Sequence, residues 1–220
     1  MSLLIGLPAY NEEPVIHDVV KRLKNRGYDN VLVVDDCSVD DTKEEAEKAG
    51  AKVIQHDENK GAGGATKTIL NHARQEGYDH LVLMDSDGQH DPRDIKKLED
   101  YKDEYDFVLG VRDLSNPEVP IRRKIANRFG NFITWLYFGN WVSDSQSGFK
   151  LLNKKAIQKV TITFDGYEFC SELLGEVKKH DLRLKEVPIR VIYTDHSQQK
   201  GQSIMKGFKM LWRFTKHKFR

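Results

Sequence analysis

The chain has 220 residues, a formal net charge of +1, 39% hydrophobic and 31% charged residues. That balance suits one sizeable globular core and implies no global electrostatic partner, so nucleic acid is not expected. No apolar run approaches the roughly 18 residues of a spanning helix, and the N-terminus runs straight into Leu3-Leu4-Ile5 without room for a signal peptide. Cys37 and Cys170 are too few and too far apart for a disulfide framework or a zinc ligand set, so a cytosolic location is expected.

Over the first 110 residues short apolar runs alternate with amphipathic stretches. Leu3–Leu7, Val31–Val34, Lys52–Gln55, Leu81–Met84 and Phe107–Gly110 read as strands, and Pro14–Asn25, Asp41–Ala49, Gly64–Arg74 and Pro92–Tyr101 as the helices between them. This alternation predicts an α/β fold with a mostly parallel central sheet flanked by helices. Further on, Ile121, Ile125, Phe129, Phe132, Ile133 and Leu136 form a helical stripe over Ile121–Phe138, with Arg122, Arg123, Lys124 and Arg128 in its first turns. Leu151-Leu152 and Val187–Tyr193 suggest strands, and Glu168–Lys179 a helix. The expected partition is one domain over residues 1–203 and a basic amphipathic helix over residues 204–220.

Three strands run directly into polar segments: Pro8-Ala9-Tyr10-Asn11-Glu12, Asp35-Asp36 and Asp85-Ser86-Asp87-Gly88-Gln89. In open parallel sheets, ligands bind beyond the carboxyl ends of the strands, so these segments are expected to meet at one rim. Asp85 and Asp87, two residues apart, can reach one hard cation such as Mg²⁺ or Mn²⁺, which takes oxygen ligands and bridges to substrate phosphates; a capped polar turn is the plainer alternative. Tyr10 can stack on a base, while Asn11 can cap the helix that follows. Asp36 is placed to accept from a base N–H, Asp35 to support its own loop, and Asp40 or Asp41 to cap the next helix. Asn59-Lys60-Gly61-Ala62-Gly63-Gly64 can bring backbone N–H groups to a phosphate or ribose, with Lys60 as an anion contact, or can serve tight turning and close packing. Arg112 ends a strand where a guanidinium can hold a diphosphate. Asp144, in the loop Asp144–Lys150, can be a general base, a substrate contact or a turn former.

Together these segments resemble the family 2 glycosyltransferases of the GT-A fold, most closely the dolichol-phosphate and polyprenol-phosphate sugar transferases. The matching pieces are Pro8-Ala9-Tyr10-Asn11-Glu12, Val34-Asp35-Asp36, Asn59-Lys60-Gly61, Asp85-Ser86-Asp87-Gly88-Gln89, Gly110-Val111-Arg112 and Asp144 to Lys150. The resemblance implies a nucleotide site at Pro8, Tyr10, Glu12 and Asp36, a metal site at Asp85, Asp87 and Gln89, and diphosphate contact at Arg112. Ser86, Gln146 and Lys60 are taken as further substrate contacts. The chain departs from the family at Cys37, where Gly is usual, and at Gln198, which stands where the lipid-phosphate transferases often have Arg; His196 or Lys200 is then expected to supply the missing charge.

The implied reaction moves a sugar, with inversion, from a UDP- or GDP-linked donor to an acceptor. A lipid phosphate acceptor arrives ionised, whereas a saccharide hydroxyl needs a base within reach, for which Asp144 is the first candidate. The tail's cations and its Ile204, Phe208, Leu211, Trp212 and Phe219 suit an anionic membrane surface or a packed helix equally; a membrane surface or a small membrane protein is the matching partner class. A sugar nucleotidyltransferase and a non-catalytic nucleotide-sugar binder are the competing readings.

Overall fold

Strand β2 (Val31–Asp35) is buried at all five positions because it lies inside a seven-stranded sheet with helices on both faces. A computed structural model of the protein describes residues 1–113, 121–190 and 192, and for Arg123 the backbone only. The expected boundary at residue 203, the helix at 204–220, and His196, Gln198 and Lys200 lie outside the described residues.

In chain order the elements are β1 (Leu3–Ala9), α1 (Glu13–Lys24), β2, α2 (Thr42–Lys48), β3 (Lys52–Gln55), α3 (Gly61–Gln75), β4 (His80–Leu83), a 3₁₀ turn at Pro92–Asp94, α4 (Ile95–Glu99), β5 (Phe107–Arg112), α5 (Ile121–Phe138), β6 (Lys150–Asn153), α6 (Lys154–Lys159), α7 (Phe169–Lys179) and β7 (Leu184–Ile189). The sheet order is β3-β2-β1-β4-β6-β5-β7. Every neighbouring pair is parallel except those of β6, which is antiparallel to both β4 and β5.

Alternation along the strands divides the core. Leu32, Val34, Leu81 and Leu83 face one layer with Ile69 of α3 and Leu173 of α7. Val31, Val33 and Val82 face the other, with Val19 and Val20 of α1 and Leu98 of α4. The chain leaves β1 toward β2 and β3, then returns to place β4 on the other side of β1. The order therefore reverses between β1 and β4, and a crevice opens at their carboxyl ends. The segments following both strands are two of the three polar segments expected at the rim.

Several local expectations shift for identifiable reasons. Helix α3 starts at Gly61 rather than Gly64, because the Asp36 carboxylate, distant in sequence, accepts the N–H groups of Lys60 and Gly61 at 2.9 and 2.7 Å. The expected helix Pro92–Tyr101 divides into a 3₁₀ turn and a short helix, with Asp91 accepting from Arg93 N at 2.9 Å. Helix α6 was not expected; Asn153 caps it by accepting from Ala156 N. Among the described residues the last strand is Leu184–Ile189, so it begins three residues before the expected Val187–Tyr193, of which Val191 and Tyr193 lie outside the described residues. Among the described residues it pairs only with β5, and an edge position tolerates Pro188, which has no N–H to donate. Asn11 does not cap α1: it sits at φ +53 and its side chain accepts from Val39 N, while Glu12 holds the N-cap position.

Candidate active site

The segment after β1 and that after β4 are joined at the switch point by Ser86, whose hydroxyl donates to Pro8 O at 2.7 Å. Ser86 is buried, so it ties the two segments together rather than standing open toward a ligand. Asp85 and Asp87 flank it. The Asp85 side chain is crowded by protein yet 45% exposed, which leaves a carboxylate edge open to a ligand. Its position is set from behind: a Cβ on Gly148 would lie 2.1 Å from both Asp85 oxygens, so only glycine permits this seat.

The charges around this pair are asymmetric. Burial opposes ionisation of Asp85, but the His90 hydrogen bond at 3.2 Å and the nearby charges of His90, Lys150 and Arg112 hold its carboxyl below the ordinary range. Asp87 goes the other way: burial raises it, and so does the Asp85 charge, with Glu12 adding to both. An ionised Asp85 that raises the cost of ionising Asp87 makes with it a site that a cation relieves. Asp87 also accepts from Gln89 N at 3.0 Å and from the Gln89 side-chain amide, which leaves the Gln89 amide oxygen as an acceptor.

The donor set bears on which cation fits. Among the described residues no group of three His, Cys, Asp or Glu side chains gathers where a metal ion could be held, so a complete protein cage is not built. Two carboxylates and an amide oxygen suit Mg²⁺ or Mn²⁺, which take one or two carboxylates and complete their shell with water and substrate phosphates. The residues present fit such an ion.

Arg112 and Asp144 form the second part of the site. Asp144 is fully buried and accepts four hydrogen bonds: from Arg112 N at 3.2 Å, Nε at 2.6 Å and Nη2 at 2.7 Å, and from Asn127 Nδ2 at 2.7 Å. Those donors occupy the lone-pair capacity of a carboxylate. In this arrangement Asp144 fixes the guanidinium of Arg112, and its availability as a base, one of the roles open from sequence, is met by no unused acceptor site. Arg112 remains partly exposed and contributes to the field at Asp85.

The remaining expected residues fall at different distances from this centre. Glu12 is buried, with its N–H donating to Thr42 Oγ1 at 2.8 Å, and Tyr10 is exposed beside it. Asp36 is buried and accepts from His56 Nδ1 at 2.7 Å as well as from the Lys60 and Gly61 N–H groups. Asp35 supports its loop, as expected, by accepting from Ser38 and from Gln55 Nε2. The glycine-rich segment commits its N–H groups inward: Gly63 N donates to Asp165 O at 2.7 Å, and a Cβ on Gly61 or Gly63 would collide with the carbonyls of Asp165 or Phe164. Close packing, one of the two roles open from sequence, is what Gly61 and Gly63 serve here. The Lys60 side chain is exposed outside this contact. Gln146 donates to Ser171 Oγ at 2.9 Å.

Four participants had no clear signal in the sequence. His90 was inside a quoted motif but without a role; its Nε2 meets Asp85 and its ring stacks on Phe149 at 5.0 Å. His56, just past β3, bridges Asp36 and Thr68, and the rim rule applied to β3 could have found it. Lys150 is wholly buried, donating to Ser147 O and lying 3.5 Å from Cys170 Sγ; a lysine opening an apolar strand gives no warning of that. Tyr167 is about half exposed, and burial of the rest together with the charges of Asp85, Cys170, Asp87 and Glu12 raises its pKa, so it lies within the field of the acidic pair.

A mostly parallel sheet with a switch-point crevice, one reversed strand and an acidic pair facing an arginine defines a glycosyltransferase of the GT-A fold. The chain matches Glycosyl transferase family 2 over residues 4–161, and it belongs to that family. It is 39% identical over 232 residues to a UDP-N-acetylglucosamine–dolichyl-phosphate N-acetylglucosaminyltransferase of Methanococcus voltae, covering 94% of this chain and 92% of that one. It is 28% identical over 233 residues to a dolichol-phosphate mannosyltransferase of Pyrococcus furiosus, covering 63% of that protein. Glucosyl-3-phosphoglycerate synthase from Mycobacterium tuberculosis, solved with Mn²⁺, UDP and glucosyl-3-phosphoglycerate, has a similar fold: TM-score 0.72, 18% identity, 97% of this chain and 79% of that one.

Proposed function

We propose that this chain is an inverting glycosyltransferase that moves a sugar from a UDP- or GDP-linked donor to a polyprenyl phosphate of the dolichyl type. The observation that carries the acceptor class is Asp144. A hydroxyl acceptor needs a base, and the carboxylate best placed in sequence for that task is buried and committed to Arg112 and Asn127. A phosphate monoester is ionised near neutral pH, with a second pKa of about 6, and attacks without such help. The similarity to transferases named for dolichyl-phosphate acceptors supports the same class.

In this reading Tyr10 stacks on the base and Glu12 reads its edge, with Pro8 shaping the same wall. Asp36 acts by holding the glycine-rich turn and His56 in place, with one acceptor direction left for a base N–H. Asp85 and Asp87, with Gln89, hold Mg²⁺ or Mn²⁺, which when bound neutralises charge on the diphosphate leaving group. Arg112, oriented by Asp144, takes the remaining oxyanion charge. Tyr167 borders the donor where the acceptor arrives. Lys60 and Lys200 are additional anion contacts, and the working location is the cytoplasmic face of a membrane. Among the described residues no helix is long and apolar enough to cross one.

Thermal stability with UDP, GDP and their sugars, with and without Mn²⁺ or Mg²⁺, tests the donor site. At a hundred times Kd a ligand adds about 2.7 kcal/mol, which for a chain of this length is about 5–11 °C. Transfer is then scored to a short-chain polyprenyl phosphate and to saccharide alcohols. Absence of any nucleotide-dependent shift refutes the donor site, and transfer only to saccharides refutes the acceptor.

A further inference from the structure

Helix α5 has two faces of opposite character. Inward, Asn127 donates to Asp144, Asn131 donates to Ser143 O at 2.7 Å and accepts from Ser145 N at 2.8 Å, and Thr134 Oγ1 meets Ser171 Oγ at 2.8 Å. Outward, Ile121, Ile125, Phe132, Trp135 and Leu136 are all exposed. At 3.6 residues per turn these five lie within an arc of about 100° on one side of the helix. Trp141, 67% exposed just past the helix, extends the strip: its ring is 6.2 Å from Trp135, which in turn is 5.8 Å from Phe132.

Isolated exposed apolar residues are ordinary; five aligned on one helix, one of them a tryptophan, with a second tryptophan just beyond its end, are not. The surrounding charge narrows the occupant. The sequence Ile121–Phe138 contains Arg122, Arg123, Lys124 and Arg128 and no acidic residue, and both Arg122 and Arg128 are exposed. A cationic, tryptophan-bearing helix that is apolar on its outer strip matches the interface of an anionic bilayer, where aromatic rings sit at headgroup depth and arginines meet lipid phosphates. A second copy of the chain fits less well, because symmetry would bring this cationic cluster against its own counterpart.

We infer that α5 together with Trp141 is a docking surface for an anionic lipid bilayer, lying in the interface with its strip buried among the headgroups. The inference rests on the lipid-phosphate reading for its purpose, since the opposite face of the same helix holds the Arg112–Asp144 pair. A helix is about 10–12 Å across, so docking by α5 sets that pair roughly one helix width from the headgroup layer and within reach of a lipid-borne phosphate.

The chain has three tryptophans, Trp135, Trp141 and Trp212. In full-length protein carrying Trp212→Phe, only the two at the strip report. Vesicles of phosphatidylcholine with 30% phosphatidylglycerol and brominated acyl chains are expected to quench their fluorescence and shift it to the blue. Affinity is expected to rise by about fivefold per cation brought to the surface, and so to fall by at least about 25-fold in Arg122→Glu/Arg128→Glu, which removes two attractions and adds two repulsions, or on omitting phosphatidylglycerol. Ile125→Ser/Phe132→Ser/Leu136→Ser, at exposed positions, is expected to lose at least about tenfold more. Flotation with no quenching would assign membrane contact to another part of the chain and overturn the inference. So would a dimer in solution that the triple substitution dissociates, or a quench unchanged by the charge reversal. The nucleotide thermal shift is read on the same samples. Its loss in all proteins with the quench intact removes the transferase reading alone, and its persistence without quenching removes the docking surface alone.

Discussion

Replacing Asp144 with Asn tests what this buried carboxylate does. It accepts four hydrogen bonds, three from Arg112 and one from Asn127, and has no exposed surface. The amide keeps one acceptor oxygen and places an NH₂ group against donors, so the ion pair is lost and at least one donor faces another. Removing one partner of a buried pair costs about 3–5 kcal/mol. The Arg112 side chain is 29% exposed and can regain water, which places the expected loss at the lower bound. A loss of about 3 kcal/mol lowers Tm by about 6–12 °C in a chain of this length. Because the guanidinium is no longer fixed, affinity for nucleotide diphosphate should fall together with turnover. Differential scanning fluorimetry, titration calorimetry with the nucleotide and single-turnover transfer measure the three quantities. Unchanged stability and nucleotide affinity with turnover reduced by about 10²–10⁴ would be the signature of a general base, and would refute the positioning role argued for Asp144.

Three other substitutions probe separate links. Gly148→Ala puts a methyl group into the space held by the Asp85 carboxylate; the Mn²⁺ or Mg²⁺ concentration for half-maximal activity should rise about 10–100-fold, as for other supports of a metal ligand, and an unchanged requirement would argue that Asp85 is not a ligand. Cys37 sits at φ +63, a conformation that costs an L-residue about 1–2 kcal/mol and glycine nothing; Cys37→Gly should therefore leave Tm equal or a few degrees higher, and a clear drop would mean the thiol's contact with Asp57 O outweighs the strain. Burial would raise Asp106, but Arg183, Lys155 and Asn153 overcome that and hold its carboxyl well below the ordinary range. Its folded pKa is depressed, so its contribution is full above the unfolded value of about 3.9 and is lost as pH falls below it; the Tm gap between wild type and Asp106→Asn should narrow as pH drops from about 4 toward 2, and a constant gap would exclude this linkage.

Local pattern in the sequence was enough for the parallel α/β class, most strand positions and the rim at which Pro8–Glu12, Asp36 and Asp85–Gln89 meet. Those features follow from the period of apolar residues and from where strands end, both of which are written along the chain. The same information named Arg112 and Asp144 without saying that they bind each other. That pairing depends on α5 presenting Asn127 to the carboxylate and on β5 ending beside the loop that follows α5, contacts between residues as far as 32 positions apart. The glycine-rich segment illustrates the same limit: its spacing allows phosphate contact or close packing, and what it packs against is fixed by Asp36 and Asp165, distant in sequence, which accept from the N–H groups of Lys60, Gly61 and Gly63. The apolar stripe of α5 was legible, but not that four of its six residues face outward, because a helical period fixes only which residues share a side. Which side is covered depends on what packs there, and that is a property of the folded sheet and α7 rather than of the helix.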